Sequence, residues 1–140
     1  MKYHFKLYKE TKLYWAECLE LNGCLTQGAS VLEVRANATE ALNLFLDEPE
    51  ASKVIFPLPS SSHEHQKDVF SVEVNPQIAF ALLLRQTRVT MGITQKAAAK
   101  RLGIANLYSY QRLEHRANPT LKTMQRVKTA FPEFPLERVF

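Results

Sequence analysis

Cysteine is scarce in this chain, with two among 140 residues. Two thiols do not build a disulfide framework, so the fold must rest on a hydrophobic core. Apolar residues are plentiful enough for one, at 46% of the sequence, which also excludes a disordered chain. Long apolar runs are missing as well. None approaches the roughly 20 residues of a membrane-spanning helix. The opening stretch "MKYHFKLYKETKLYW" alternates and lacks the apolar core of a signal peptide. These absences predict a cytoplasmic protein with reduced thiols and no membrane partner. The length suits one ordinary domain or two small ones.

Acidic residues are scarce too, but only in one half. Residues 77–140 hold 3 Asp/Glu against 11 Lys/Arg, a net +8. Residues 1–76 hold 11 Asp/Glu against 7 Lys/Arg, a net −4. So sharp a division predicts two modules with different partners. The basic one suits a polyanion such as DNA.

In the acidic half, "YHFKLYKE" puts Tyr3, Phe5 and Leu7 on one face and His4, Lys6 and Tyr8 on the other, as in a half-buried strand. "KLYWAECLEL" repeats the alternation after the short polar link "KETK", which predicts a hairpin. Asn22-Gly23 marks a turn, and "CLTQG" reads as a third strand ending at Gly28. Ser30 then caps a helix, with Glu33 at capping-box spacing. Val34, Ala38, Ala41, Leu42 and Phe45 recur at helical spacing and form its packing stripe. Pro49 ends it. "FPLPSSSHEHQK" reads as an extended surface segment, and "DVFSVEVNP" as a fourth strand burying Phe70, Val72 and Val74. The module is β-β-β-α-β, an α+β layer.

Chemistry is hard to find there. Two-metal phosphoryl transfer needs carboxylates that converge on one point. The first strand has no acid, and Glu17 and Glu20 lack a third partner. Cys18, Cys24, His63 and His65 offer zinc-ligand types at poor spacing, and read as two buried thiols and two solvated imidazoles. A disulfide between the cysteines is disfavoured by the compartment. A Cys nucleophile paired with His4 or His63 has no motif behind it. The expectation is no enzyme: no catalytic residues, no metal and no cofactor.

"YHFKLYKE…YWAECLELNGCLTQGAS…ANATEALNLFLDE" resembles the N-terminal domain of HicB antitoxins, whose pattern is a strand, then "YWAECPELPGCFTQG", then a helix with "EALxLYL". Tyr14, Trp15, Glu17, Leu21, Gly23, Cys24, Thr26, Gln27 and Gly28 match it, while Leu19 and Asn22 replace two prolines. The likeness covers about residues 1–56. It implies a partial RNase H-like fold without catalytic acids, and a HicA-type RNA-cleaving toxin as partner. The toxin-contacting residues are not readable.

In the basic half, Asn75-Pro76 opens a helix running to about Val89 and stopped by Gly92. Thr94 caps a short helix, "TQKAAAKRLG", whose Ala97, Ala98 and Leu102 suit close helix approach. After the Gly103 turn, Asn106 caps "IANLYSYQRLEH". A last helix starts near Thr120 and buries Leu121, Met124, Val127 and Phe131. The arrangement is a helix-turn-helix. "ITQ…A…LGI…LE…NPTL" is similar to the Cro/repressor-like family, through Thr94, Gln95, Leu102, Gly103, Leu113, Glu114, Asn118 and Pro119. Lys96 stands where that family has an acid, and Gly103 to Glu114 is longer by one residue, which leaves the register near Asn106 open.

With Leu113 facing the core, Tyr110 and Leu107 approach the same buried side. The base-reading candidates are Asn106, Tyr108, Ser109, Gln111 and Arg112, because Arg grips guanine bidentately and Gln reads adenine. The phosphate candidates are Thr94, Gln95, Lys96, Lys100, Arg116 and Lys122. For Tyr108, Tyr110 and Arg112 ordinary packing or solvation stays an alternative.

The expected organisation is a toxin-binding module over 1–56 completed by a strand at about 68–74, a Pro/Ser-rich connector over 57–67, and a DNA-binding domain over 76–140. The expected function is an antitoxin that neutralises its toxin and represses its own operon at a double-stranded operator. A homodimer is expected, with a tetramer left open. The alternative is a stand-alone regulator whose first module senses a ligand.

Overall fold

The computed structural model describes residues 1–49, 52–115 and 118–140. Among them the chain is α+β, with a four-stranded antiparallel sheet and five α-helices. It divides into two compact units, Met1–Leu46 with Phe56–Asn75, and Asp47–Ile55 with Pro76–Phe140. From the sequence, residues 47–55 belong with the sheet and 57–67 form a connector. Hydrogen bonds explain the different grouping. The Arg85 guanidinium donates to the Val54 carbonyl at 3.1 Å, and His115 Nδ1 lies 2.7 Å from the Glu48 carbonyl. Tyr3 donates to the Pro57 carbonyl at 2.9 Å, which ties the supposed connector to the first strand.

The sheet unit contains β1 (Lys2–Lys9), β2 (Tyr14–Cys18), β3 (Leu25–Gly28), α1 (Val31–Leu46) and β4 (Val69–Glu73). The strand order is β3-β2-β1-β4. Alternation and register together assemble one apolar face. Phe5 pairs with Cys18 on one side and Phe70 on the other, and Tyr3 pairs with Val72. All five are buried, as side chains two apart on each strand must share a face. Val34, Ala38, Leu42 and Leu46 of α1 are buried at spacings of four residues, the period that closes such a face. Full burial of each large side chain stabilises by about 1.5–3 kcal/mol. The expected stripe is corrected at its edge. Ala41 and Phe45 are half-buried, and Leu46 takes the last core position. The Phe45 ring instead meets Phe56, centroids 5.7 Å apart.

Local signals start α1 where expected. Ser30 Oγ accepts from the Glu33 amide at 3.1 Å, but Glu33 reaches back to the Ala29 amide, one residue before the usual box. Gly28 lies beneath this turn, where a Cβ would stand 2.9 Å from the Val34 nitrogen. The opposite sheet face needs a correction. His4, expected to face solvent, is 3% exposed because Glu20 and the Ser60 segment cover it. Residues 61–63 form a 3-10 turn within the segment expected to be extended.

The helical unit contains α2 (Pro76–Thr90), α3 (Gln95–Arg101), α4 (Leu107–Leu113), α5 (Leu121–Ala130) and a 3-10 turn at Leu136–Arg138. Leu84, Ala98, Tyr110, Val127, Phe131 and Phe134 lie in its core. Leu107 and Leu121, expected inside, are 41% and 83% exposed. Each is the first residue of its helix, and helical side chains lean toward the N-terminus, so a first-turn side chain leans past the helix end. Among the described residues no helix is long and apolar enough to cross a membrane.

Candidate nucleic-acid interface

The basic half presents its polar side chains on α3 and α4, and backbone chemistry sets how these helices join. Thr94 is extended, and its Oγ1 accepts from the Ala97 amide at 3.1 Å, which starts α3. Ala98 and Ala99 are buried, whereas Ala97 is half-buried. The helix ends in a Schellman turn. Gly103 has φ +71°, its amide donates to the Lys100 carbonyl, and the Ile104 amide donates to the Ala99 carbonyl. Asn106 Oδ1 then accepts from the Tyr108 amide at 2.9 Å and starts α4.

A buried polar cluster locks this pair against α2. Arg88 donates from Nε to Glu114 Oε1 at 2.6 Å and from Nη2 to Oε2 at 3.1 Å. Its Nη1 donates to the Ile93 carbonyl at 3.1 Å. The Tyr110 hydroxyl donates to Glu114 Oε1 at 2.6 Å, and Gln95 Nε2 to Oε2 at 3.1 Å. Gln111 Nε2 completes the chain by donating to Gln95 Oε1 at 3.2 Å. Glu114 is fully buried. Burial alone would lower the Arg88 pKa, but the hydrogen bond and charge of Glu114 outweigh it and raise the value. Burial, then the Glu114 charge, push the Tyr110 hydroxyl far above the ordinary phenol range. Tyr110 therefore stays a donor. Its role in this unit is packing and hydrogen bonding.

Outside this cluster the candidate residues fall into two groups. Tyr108, Ser109 and Arg112 are exposed on α4, with the Arg112 guanidinium 6.0 Å from the Tyr108 ring centre. Lys96 and Lys100 are exposed on α3 and line a shallow groove of about 640 Å³ with Thr94, Ile104 and Leu107. Lys122 is exposed on the first turn of α5. Gln95 and Gln111 are half-buried and bonded to each other. The Thr94 and Asn106 side chains are used in capping. Arg116 lies outside the described residues.

The Arg88–Glu114 pair is invisible to pattern reading, because its members stand 26 residues apart. A signal exists nonetheless. Arg85 and Arg88 interrupt the otherwise apolar side of α2, and Tyr110 precedes Glu114 by one helical turn. In the sheet unit, Cys18 and Cys24 are buried free thiols. The His63 ring lies 5.9 Å from His4, and His65 is exposed. Compared with protein-family models and with curated proteins, the chain matches none.

Proposed function

We propose that this chain is a DNA-binding antitoxin of the HicB type. Its first unit masks a HicA-type RNA-cleaving toxin, and its second represses the operon by binding operator DNA. In this reading the sheet unit is a partial RNase H-like module that binds rather than cuts. Helices α3 and α4 act as a helix-turn-helix, with α4 in the major groove. The observation that carries the DNA-binding half is the array of exposed Tyr108, Ser109, Arg112, Lys96 and Lys100 on two helices fixed from behind by the buried Arg88–Glu114 pair. A rigid base under exposed cations and donors suits groove reading. The Gln95–Gln111 bond ties a phosphate candidate to a base candidate. The toxin half is supported by the sequence resemblance and by a net −4 that complements a basic RNA-binding partner.

The test has two arms. Co-expression with the small protein encoded beside this gene is expected to give a stable complex and to restore growth; failure of the two to bind would sink the antitoxin role. Titration of the upstream DNA is expected to give a footprint that rising salt erases. A second reading, a ligand-sensing regulator, is favoured by an open hollow of about 450 Å³ on the sheet unit beside Leu13, Trp15 and Leu25. Lack of a toxin gene next door would favour it.

A further inference from the structure

The thiols of Cys18 and Cys24 have no part in the proposed function, and the fold sets them face to face. β2 and β3 pair in the register Glu17↔Leu25 and Ala16↔Thr26. Continued by one residue, that register puts Cys18 opposite Cys24. The Cys18 amide donates to the Cys24 carbonyl at 2.8 Å, while the Cys24 amide donates to the Leu21 carbonyl at 3.2 Å and closes the turn. Residues opposite each other across antiparallel strands stand about 4.5–5.5 Å apart at Cα with side chains on one face. Disulfides need a Cα separation of roughly 4.4–6.8 Å. The spacing of opposed strand residues falls inside that range.

We propose that Cys18 and Cys24 form a reversible dithiol–disulfide site that hydroperoxides oxidise. The two sulfurs are chemically unequal. A hydrogen bond with Cys18 lowers the Cys24 pKa against the opposing effect of burial. The contact with Cys24, then burial and the nearby Glu20 charge, raise that of Cys18; while Cys24 is a thiol, the single Cys18 proton lies toward Glu20 Oε2, 3.6 Å from Sγ. Because the Glu20 carboxylate accepts the Cys18 proton in a hydrogen bond and Cys24 closes the exposed turn, Cys24 is the attacking thiolate and Cys18 the resolving thiol. The Cys24 sulfur attacks one peroxide oxygen, the O–O bond breaks, and the departing hydroxide takes a proton to leave as water. The resulting sulfenic acid is then attacked by the Cys18 sulfur. The S–S bond forms, the S–O bond breaks, and a second water carries off the hydroxyl and the Cys18 proton. Two thiols lose two electrons and two protons, and one hydroperoxide is reduced. Both residues are buried, at 6% and 2% exposure, but Cys24 closes a tight turn whose Asn22 and Gly23 are exposed. Local opening of that turn admits a small oxidant.

The test treats the full chain with hydrogen peroxide in modest excess, then alkylates it under denaturing conditions and weighs it. The expected product is a monomer two hydrogens lighter with neither thiol alkylated. A peptide map should join Cys18 to Cys24, and dithiothreitol should reverse the change. Cys18→Ser should stop Cys24 at a sulfenic acid that dimedone traps, whereas Cys24→Ser should leave Cys18 reduced at the same dose. Two alkylated thiols, over-oxidation without a crosslink, or a disulfide between two chains would each overturn the proposal. The peptide map of the unaltered protein decides the matter even where a serine variant fails to fold.

Discussion

Each unit hides a carboxylate, and the two are satisfied by different chemistry. Glu114 in the helical unit meets a guanidinium, a phenol and an amide. Glu20 in the sheet unit meets the His4 ring at 2.6 Å, the backbone amides of His4 and Ser60, and the Cys18 thiol. Desolvating a carboxylate is costly in either place. In the helical unit a bidentate opposite charge offsets that cost, so each partner depends on the other. In the sheet unit several separate donors share it, so no single one is indispensable. The helical unit thus fixes its exposed basic face through one buried ion pair. The sheet unit fixes a turn and a strand end through a spread of weaker bonds.

Breaking the ion pair from one side should have the largest effect. Glu114→Ala or Arg88→Ala is expected to cost the helical unit about 3–5 kcal/mol, because the remaining charge is buried without compensation. Replacing both with apolar residues, Arg88→Met with Glu114→Leu, should cost far less, since no charge is stranded. Denaturant unfolding followed by helical circular dichroism measures all three. If the double variant is as unstable as the singles, the pair is not the source of the stability.

Glu20→Gln should have a smaller effect, about 1–3 kcal/mol for weakened hydrogen bonds to a charged acceptor. Its signature is in the pH dependence. Burial raises the Glu20 pKa, but the bonds from His4 and Ser60 outweigh it and the carboxyl sits below its ordinary value of 4.5. A pKa lowered by folding means that the unfolded chain binds the proton more readily. The stabilisation is therefore complete above about 4.5 and is lost as pH falls through the lower folded value. Trp15, the single tryptophan, belongs to this unit and reports it by fluorescence. The acid-side slope of its unfolding midpoint should flatten in Glu20→Gln. An unchanged slope would assign it to another group.

Arg112→Ala should leave both units folded, since the side chain is exposed, and should weaken operator binding by about 1–3 kcal/mol while relaxing one base preference. Footprinting on operator variants measures it, with toxin binding as the control. An unaltered footprint would move Arg112 off the groove.

Much of this was legible because the relevant chemistry is local. Strand alternation, the caps at Ser30, Thr94 and Asn106, the helix start near Thr120, and the turns at Gly23, Gly92 and Gly103 each depend on a few neighbouring residues. Fixing Leu113 inward was enough to turn Tyr108, Ser109 and Arg112 outward, because helix geometry carries the phase. What stayed hidden depends on distant parts of the chain. Nothing near His4 says that residues 20 and 60 will cover it. Nothing near Gln111 says that Gln95 will hold its amide. Leu107 and Leu121 fit the apolar period yet sit at helix starts, where period alone does not imply cover.

The smallest effect is the sharpest comparison between the units. Lys96 and Lys6 are both lysines beside an aromatic or apolar surface, one in the basic unit and one in the acidic sheet. Lys96 is exposed on the groove of α3, and Lys6 Nζ lies 5.5 Å from the Tyr8 ring centre. If the basic face tracks the DNA backbone, Lys96→Gln removes one phosphate contact and lowers the slope of log affinity against log salt by about one unit. Lys6→Gln removes the same charge from the molecule and should leave the slope unchanged. Equal slopes for the two variants would mean that net charge alone draws the chain to DNA. A difference confined to Lys96 would mean that the polyanion meets the helical face.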